Sequence, residues 1–414
     1  MSDPWEMSEA ERKEAVEQRL RELTPPLGPE RGGGERPRAV ILGGQPGAGK
    51  TTTQEAVYAE MGDDRTVLYD GDDNAEVHPR YEQVMREHGL EGNDLVNKGL
   101  PDDLHQKCMD RIRGGDPKYD VIASHPLGKR EWAESWVKGF SDQGYHVSVV
   151  YLATHESNSL LGIADRYQKG RDKAGTGRWI DPTKYHDPFY RDIPDVAHYL
   201  ESQGLVDSMY VVNRNGDLLY ENHRGPDGRM REPLGARETI DTERNRQPTE
   251  AETAHVNARI SYLGDPERRV SNALPGHRPE PVHAKVMTAA LEAGERHARH
   301  REASAGVPGP EILGTGLAEA MRREWDRDAR SRSTMASSPA VETARPEAGR
   351  TTAAPGSAAA LIQVSSRGAP GPGARSTPDR GAGAGTGSTP GSGRPGYRPW
   401  ERPGSGRPGS GTER

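Results

Sequence analysis

The chain has 414 residues, is 32% hydrophobic and carries 50 Gly, 33 Pro and only two Phe, so one compact α/β domain with attachments is expected rather than three domains. Its net charge of −7 is unevenly spread: residues 331–414 hold 11 Arg against five acidic residues, which leaves the body strongly acidic and argues against a nucleic-acid-binding surface. A lone cysteine, Cys108, excludes an intramolecular disulfide framework and fits a reducing cytoplasm, while the acidic start (Asp3, Glu6, Glu9, Glu11) and the lack of any eighteen-residue apolar run argue against secretion and membrane spanning.

Residues 1–36 read as a charged N-terminal helix followed by a linker, because Pro25-Pro26 and Arg31-Gly32-Gly33-Gly34 break the helical pattern. Such a helix is also a candidate for covering a ligand site in cis. From Pro37 onward, short apolar runs alternate with helix-length segments: Ala39 to Leu42, Thr66 to Tyr69, Tyr119 to Ala123, His146 to Leu152 and Met209 to Val212. Asp217 to Tyr220 follows an Asn215-Gly216 turn signal. This order predicts βαβ units in a mainly parallel sheet flanked by helices, closed by a hairpin, over residues 37–224. Residues 225–330 lose the apolar runs and read as a charged, partly helical extension. Residues 331–414, with Gly-Ser-Gly-Arg-Pro-Gly at 391–396 and again at 404–409, read as a disordered Gly/Pro/Ser/Arg-rich tail.

The chemistry is concentrated after the predicted strands, where ligands of such sheets bind. Gly44-Gln45-Pro46-Gly47-Ala48-Gly49-Lys50-Thr51 follows the first strand and opens a helix, which is the context of a P-loop (Walker A). Backbone N–H groups from Gly44 to Thr52 would face a polyphosphate, Lys50 would reach the β- and γ-phosphates, and the Thr51 hydroxyl would ligate Mg²⁺. The second strand ends in Asp70-Gly71-Asp72-Asp73, beside that loop. Carboxylates there suit a metal ligand and a base that takes the proton of an attacking hydroxyl, and Asp72 and Asp73 also suit helix capping. Residues 165–191 gather Arg166, Lys169, Arg171, Lys173, Arg178 and Arg191 among Gly170, Gly175 and Gly177, the composition of a basic lid over phosphates.

Taken in order, Val40 to Thr51, Asp70-Gly71-Asp72 with His78-Pro79, Leu161-Gly162-Ile163-Ala164-Asp165-Arg166-Tyr167, Arg178 before His186-Asp187, and Val212-Asn213-Arg214-Asn215-Gly216 with Leu219-Tyr220 resemble the zeta toxin family. These are P-loop kinases of bacterial toxin–antitoxin systems, and the resemblance spans residues 37–223. It implies a P-loop NTPase/kinase-like fold and an ATP- or GTP-using, Mg²⁺-dependent cytoplasmic kinase. It further implies phosphorylation of the 3′-hydroxyl of UDP-N-acetylglucosamine, a sugar-nucleotide acceptor, and a small helical antitoxin as partner. By the same resemblance Asp72 is the general base, Arg166 and Arg178 contact phosphate, Lys50 and Thr51 keep their phosphate and metal roles, and Asp70 joins Thr51 at the metal.

One departure concerns the acceptor. Where the family shows Val-Ile-Glu-Gly-Thr, this chain has Val121-Ile122-Ala123-Ser124-His125, and on the preceding helix the nearest match to a second substrate-binding acid is Gln106. His78, Gln106, Ser124 and His125 are therefore the candidate acceptor contacts. Two other readings stay open: a P-loop kinase of a different small hydroxyl-bearing acceptor, and a non-catalytic module whose basic lid is ordered by nucleotide.

Overall fold

The computed structural model describes residues 3–62, 64–275 and 280–337; of the tail expected over 331–414, the part from 338 onward lies outside the described residues. The chain runs α1 (Glu9–Glu22), β1 (Arg38–Gly43), α2 (Lys50–Met61), β2 (Thr66–Asp70), a 3-10 turn (Gly71–Val77), α3 (Tyr81–His88), α4 (Gly92–Gly99), α5 (Leu104–Gly114), β3 (Asp120–Ser124), α6 (Arg130–Ser141), β4 (His146–Leu152), α7 (Glu156–Ala174) and α8 (Asp187–Ser202). The hairpin β5 (Ser208–Val212) and β6 (Leu218–His223) follows, then α9 (Ala236–Asn245), α10 (Glu250–Leu263), α11 (Pro266–Ser271), α12 (Glu280–Ala303) and α13 (Leu317–Ser337).

The six strands form one sheet in the order β2-β3-β1-β4-β5-β6. The first five are parallel and β6 is antiparallel to β5. Parallel strands joined by helices are covered on both faces, which is why these segments are nearly continuous apolar runs. Alternate residues divide between two layers. Ala39, Ile41, Val149, Tyr151 and Val211 pack with α1, α5, α6, α8 and α9, whereas Val40, Leu42, Val150, Tyr210 and Val212 pack with α2 and α13. Because β1 lies between β3 and β4, the loop that follows it sits at the centre of the sheet's carboxyl edge.

The N-terminal helix does not stand apart. Ala15, Val16 and Leu23 enter the main core, and Arg19, 7% exposed, donates to Asn74 Oδ1 at 3.0 Å and to the Asp70 carbonyl at 3.3 Å. Instead of a free cover, α1 is a support under the acidic turn.

The charged extension is likewise packed. Val256 and Leu263 of α10, with Val282, Val286, Ala289, Ala290 and Ala293 of α12, bury against Leu160, Leu161, Ala164 and Tyr167 of α7. Leu317, Met321 and Trp325 of α13 close the second face of the sheet, and α13 continues to Ser337, seven residues beyond the expected limit at 330.

A chain stopped after residue 224 would expose these faces. It loses Ile240, Val256, Leu263, Val282, Val286, Leu317, Met321 and Trp325, all buried. At about 1.5–3 kcal/mol per large apolar side chain the loss exceeds ~10 kcal/mol, comparable with the ~5–15 kcal/mol stability of a whole domain. Residues 1–224 alone are expected to be insoluble or to lack a cooperative melt. A monomeric fragment whose Tm matches that of the full chain would show that the extension is dispensable for folding.

Candidate active site

Between β1 and α2 the backbone turns through three glycines with positive φ, Gly44, Gly47 and Gly49, the last being the N-cap of α2. Gly47 is required by contact as well as by conformation, since a Cβ there would lie 2.0 Å from the Ser159 carbonyl of α7. The Lys50 ammonium folds back onto the loop, 2.9 Å from the Gly44 carbonyl and 3.5 Å from that of Gln45. Burial lowers its pKa, and the charges of Asp70 and Asp72 act against that shift. The result is a cradle of backbone N–H groups at a helix N-terminus with one cation at its mouth, which fits a polyphosphate.

The loop residues expected to hold nucleotide do not contribute equally. Thr51 and Thr52 are exposed in the first turn of α2. Pro46 has no N–H to give, and Ala48 is fully buried with its carbonyl accepting from Thr154 Oγ1 at 2.9 Å. The Gln45 side chain is also fully buried, so only its backbone faces any ligand of the loop.

Asp70 ends β2 and accepts from the Asp72 N–H at 2.9 Å, which caps the 3-10 turn. Burial, then the neighbouring carboxylates of Asp72 and Asp73, raise its pKa to about 6. Thr51 and Asp70 fit the requirements of Mg²⁺, which takes one or two protein oxygens and leaves its remaining positions to phosphates and water. No cluster of three or more His, Cys, Asp or Glu able to hold a metal occurs among the described residues.

The basic segment after α7 reaches across to these acids. Arg178, 14% exposed, lies 3.3 Å from both Asp73 Oδ1 and Glu76 Oε1 and 3.6 Å from Asp72 Oδ2. Although burial opposes it, the Asp72 and Asp73 carboxylates raise its pKa further. Arg166, exposed on α7, is acted on by Arg178 and by Asp72, Asp70 and Asp73. Lys50, Arg166, Arg178, Asp70 and Asp72 therefore lie within electrostatic reach of one another. Glu76, which shares Arg178 with Asp73, was not singled out in the sequence, although it lies just beyond the acidic run Asp70 to Asp73.

The four acceptor candidates divide. Ser124 pairs in register with Asp70 across β2 and β3, and its hydroxyl donates to Gln54 Oε1 at 3.3 Å. His125 is within electrostatic reach of Lys50 and Asp72, and burial lowers its pKa to about 3. Its Nδ1 accepts from the Leu127 N–H at 3.1 Å, which puts the proton of the neutral ring on Nε2. The ring lies on Trp136 with centroids 4.7 Å apart, and Leu127 holds the turn at φ 49, a strained value for a branched side chain.

His78 and Gln106 bond to other parts of the protein. His78 is buried, with Nε2 3.0 Å from the Trp5 carbonyl and Nδ1 accepting from the Arg80 N–H at 3.1 Å, so both nitrogens serve the fold. Gln106 is exposed on α5 and donates to Asp110 Oδ1 at 2.7 Å. One residue earlier, His105 takes the inward position: its Nδ1 lies 2.7 Å from the Tyr69 hydroxyl, and it acts on His125. The stripe Leu104, Cys108, Met109 and Ile112 marks that inner face, and a shift of one residue turns a helical side chain by about 100°.

This sheet and this site together define the class: a P-loop protein of the kinase-like type. Residues 29–224 match the family described as Zeta toxin, which supports the resemblance read from the sequence. It is 26% identical over 216 residues to Toxin zeta of Streptococcus pyogenes, covering 51% of this chain and 71% of that one. It is 24% identical over 217 residues to Toxin PezT of Streptococcus pneumoniae, covering 52% and 82%. Among solved structures, one from the PezAT toxin–antitoxin system of S. pneumoniae aligns over 64% of this chain and 98% of its own, with 19% identity and a TM-score of 0.49. A chain of the AvrRxo1-ORF1:ORF2 complex aligns over 71% and 86%, with 14% identity and a TM-score of 0.36.

Proposed function

We propose that this protein is a kinase that transfers the γ-phosphoryl group of ATP or GTP to a hydroxyl of a sugar nucleotide. UDP-N-acetylglucosamine, through its 3′-hydroxyl, is the acceptor the family resemblance supports. The observation that carries the reading is Arg178 lying 3.6 Å from Asp72 at the carboxyl end of β2, with Lys50, Arg166 and Asp70 within electrostatic reach of the pair. A switch or a motor needs the loop but not an exposed carboxylate facing two arginines; transfer to a hydroxyl needs all of these.

In this reading the Gly44 to Thr52 backbone and Lys50 hold the β- and γ-phosphates. Asp72 takes the proton of the acceptor hydroxyl, its oxygen bonds the γ-phosphorus, and the bond to the β–γ bridging oxygen breaks to leave nucleoside diphosphate. Arg166 and Arg178 stabilise charge on the transferring group. Mg²⁺, when bound by Thr51 and Asp70, would neutralise the β- and γ-oxygens. The family's toxin relatives support an inhibitory protein partner, of the helical antitoxin kind, for this chain as well.

A second reading, a different small hydroxyl-bearing acceptor, is supported by His125, which lies within electrostatic reach of Asp72. Where the resemblance implies a carboxylate that accepts hydrogen bonds, His125 offers a neutral Nε2–H donor over Trp136. Recognition there favours an acceptor with a flat face and a hydrogen-bond-accepting edge.

Incubation of the full chain with Mg²⁺, γ-labelled ATP or GTP and a panel of acceptors separates these readings by mass spectrometry. A phosphorylated UDP-N-acetylglucosamine supports the first reading, and label on another hydroxyl compound supports the second. Nucleotide binding without any transfer would leave the non-catalytic module.

A further inference from the structure

The Gln45 amide is the buried end of a hydrogen-bond system that leaves the family domain. Its orientation is set by its partners, because a carbonyl only accepts and a guanidinium only donates. Nε2 donates to the Thr154 carbonyl at 2.8 Å and to Ser159 Oγ at 3.0 Å, and Oε1 accepts from Arg244 at 3.0 Å. From Ser159 the chain continues in one direction. Asp187 accepts from His186 Nδ1 at 2.8 Å, burial keeps that ring neutral, and so His186 Nε2 accepts the Ser159 hydroxyl proton at 2.7 Å. Asp187 is held in turn by Arg296 of α12, at 3.2 and 3.3 Å.

Arg244 lies on α9, beyond the matched residues 29–224. It is 3% exposed, and its other bond is to the Tyr190 carbonyl at 2.7 Å, with the Tyr190 ring 4.2 Å from its guanidinium carbon. Both acceptors are neutral oxygens, and its Nε has no hydrogen-bond partner. A buried cation with neutral partners is an expensive way to fasten a helix, and an apolar side chain of the same size would pack α9 at lower cost. What the guanidinium supplies that an apolar group lacks is a tie between the Tyr190 carbonyl and the Gln45 side chain.

That tie bears on the donor site. Gln45 lies between Gly44, whose carbonyl holds Lys50, and Gly47, which α7 touches. Fixing its side chain at three points fixes the peptide planes of Gly44 and Gln45, whose carbonyls face the Lys50 ammonium.

We propose that Arg244 is a positioning residue for the phosphate-binding loop, acting through Gln45, so that a helix outside the family domain sets the affinity for the nucleotide donor. The proposal rests on the kinase reading only in taking the loop to be the donor site. Its test needs no acceptor.

The full-length wild type, Arg244→Met, Gln45→Met, the double variant and Arg244→Lys are titrated calorimetrically with the Mg²⁺ complexes of non-hydrolysable ATP and GTP analogues, with thermal melts alongside. Each Met variant is expected to bind the preferred analogue roughly tenfold more weakly, the usual scale for losing a hydrogen bond to a charged group. The double variant should be no weaker than the weaker single variant, because both remove one interaction, and Arg244→Lys should recover part of the affinity. Independent losses that multiply in the double variant, or an Arg244→Met protein that binds within about twofold of wild type, would overturn the proposal. Should Arg244→Met not fold, the comparison of Gln45→Met with Arg244→Lys decides: weak binding by the first and intermediate binding by the second support the proposal, and wild-type binding by either refutes it. A wild type that binds neither analogue brings down the kinase reading as well.

Discussion

Asp72→Asn is expected to leave nucleotide binding intact and to lower kcat by about 10³-fold, the middle of the range for removing a positioned general base. Asn keeps the shape of the side chain and its capacity to accept a hydrogen bond, and it loses the ability to take a proton. The first-turn geometry should survive, since the bond that caps the acidic turn runs from the Asp72 backbone N–H to Asp70 and does not use the Asp72 side chain. The substitution also removes one carboxylate from Arg178, so a loss of rate by itself does not separate a base from an ion-pair partner. Asp73→Asn supplies the comparison. Asp73 is closer to Arg178, at 3.3 Å against 3.6 Å for Asp72, and the kinase reading gives it no proton to accept. Its replacement is expected to cost less than about tenfold, in keeping with a partly exposed ion pair. Rate measurements beside nucleotide titrations on both variants check this, and equal losses would reassign the role of Asp72 to holding Arg178.

What could be read from the sequence follows from where each signal is stored. The strands were legible because a parallel sheet covered on both faces needs unbroken apolar runs, and β4 from His146 to Leu152 is buried throughout. The loop at 44–51 was legible because its function depends on backbone conformation, which glycine writes locally. The packing of α10, α12 and α13 was not. Their apolar stripes are narrow, for instance Leu317, Met321 and Trp325 spaced by four among Arg and Glu, and α12 uses Ala289, Ala290 and Ala293, which carry little hydrophobic signal. On α5 the inward position falls to His105 and not to Gln106, an offset of one residue that a spacing match tolerates and a helix does not. Arg244 left no local trace at all, because its meaning lies in Gln45, 199 residues earlier.

Arg178→Met is expected to have an effect at least as large as that of Asp72→Asn, roughly 10³-fold or more in kcat, the lower end of the range for an arginine that stabilises a transferring phosphoryl group. Nucleotide affinity should change far less, because the loop and Lys50 supply the ground-state contacts. In the structure Arg178 already has Asp72, Asp73 and Glu76 as partners. It is thus held near the acids, and in the kinase reading it exchanges these contacts for phosphate oxygens when a donor binds. The same arrangement predicts a second readout that a purely structural arginine would not produce. Asp70 is pushed up to about 6 by burial and by Asp72 and Asp73, and the Arg178 charge opposes that rise. Without Arg178 its pKa rises further, so the carboxylate proposed to share the metal with Thr51 is ionised only at higher pH. The acid limb of the rate profile is expected to move to higher pH in Arg178→Met, and Arg178→Lys, which keeps the charge but not the fork of donors, should restore the limb while recovering little of the rate. A profile that keeps its wild-type acid limb in Arg178→Met would separate the arginine from the acidic turn and leave it a role in binding alone.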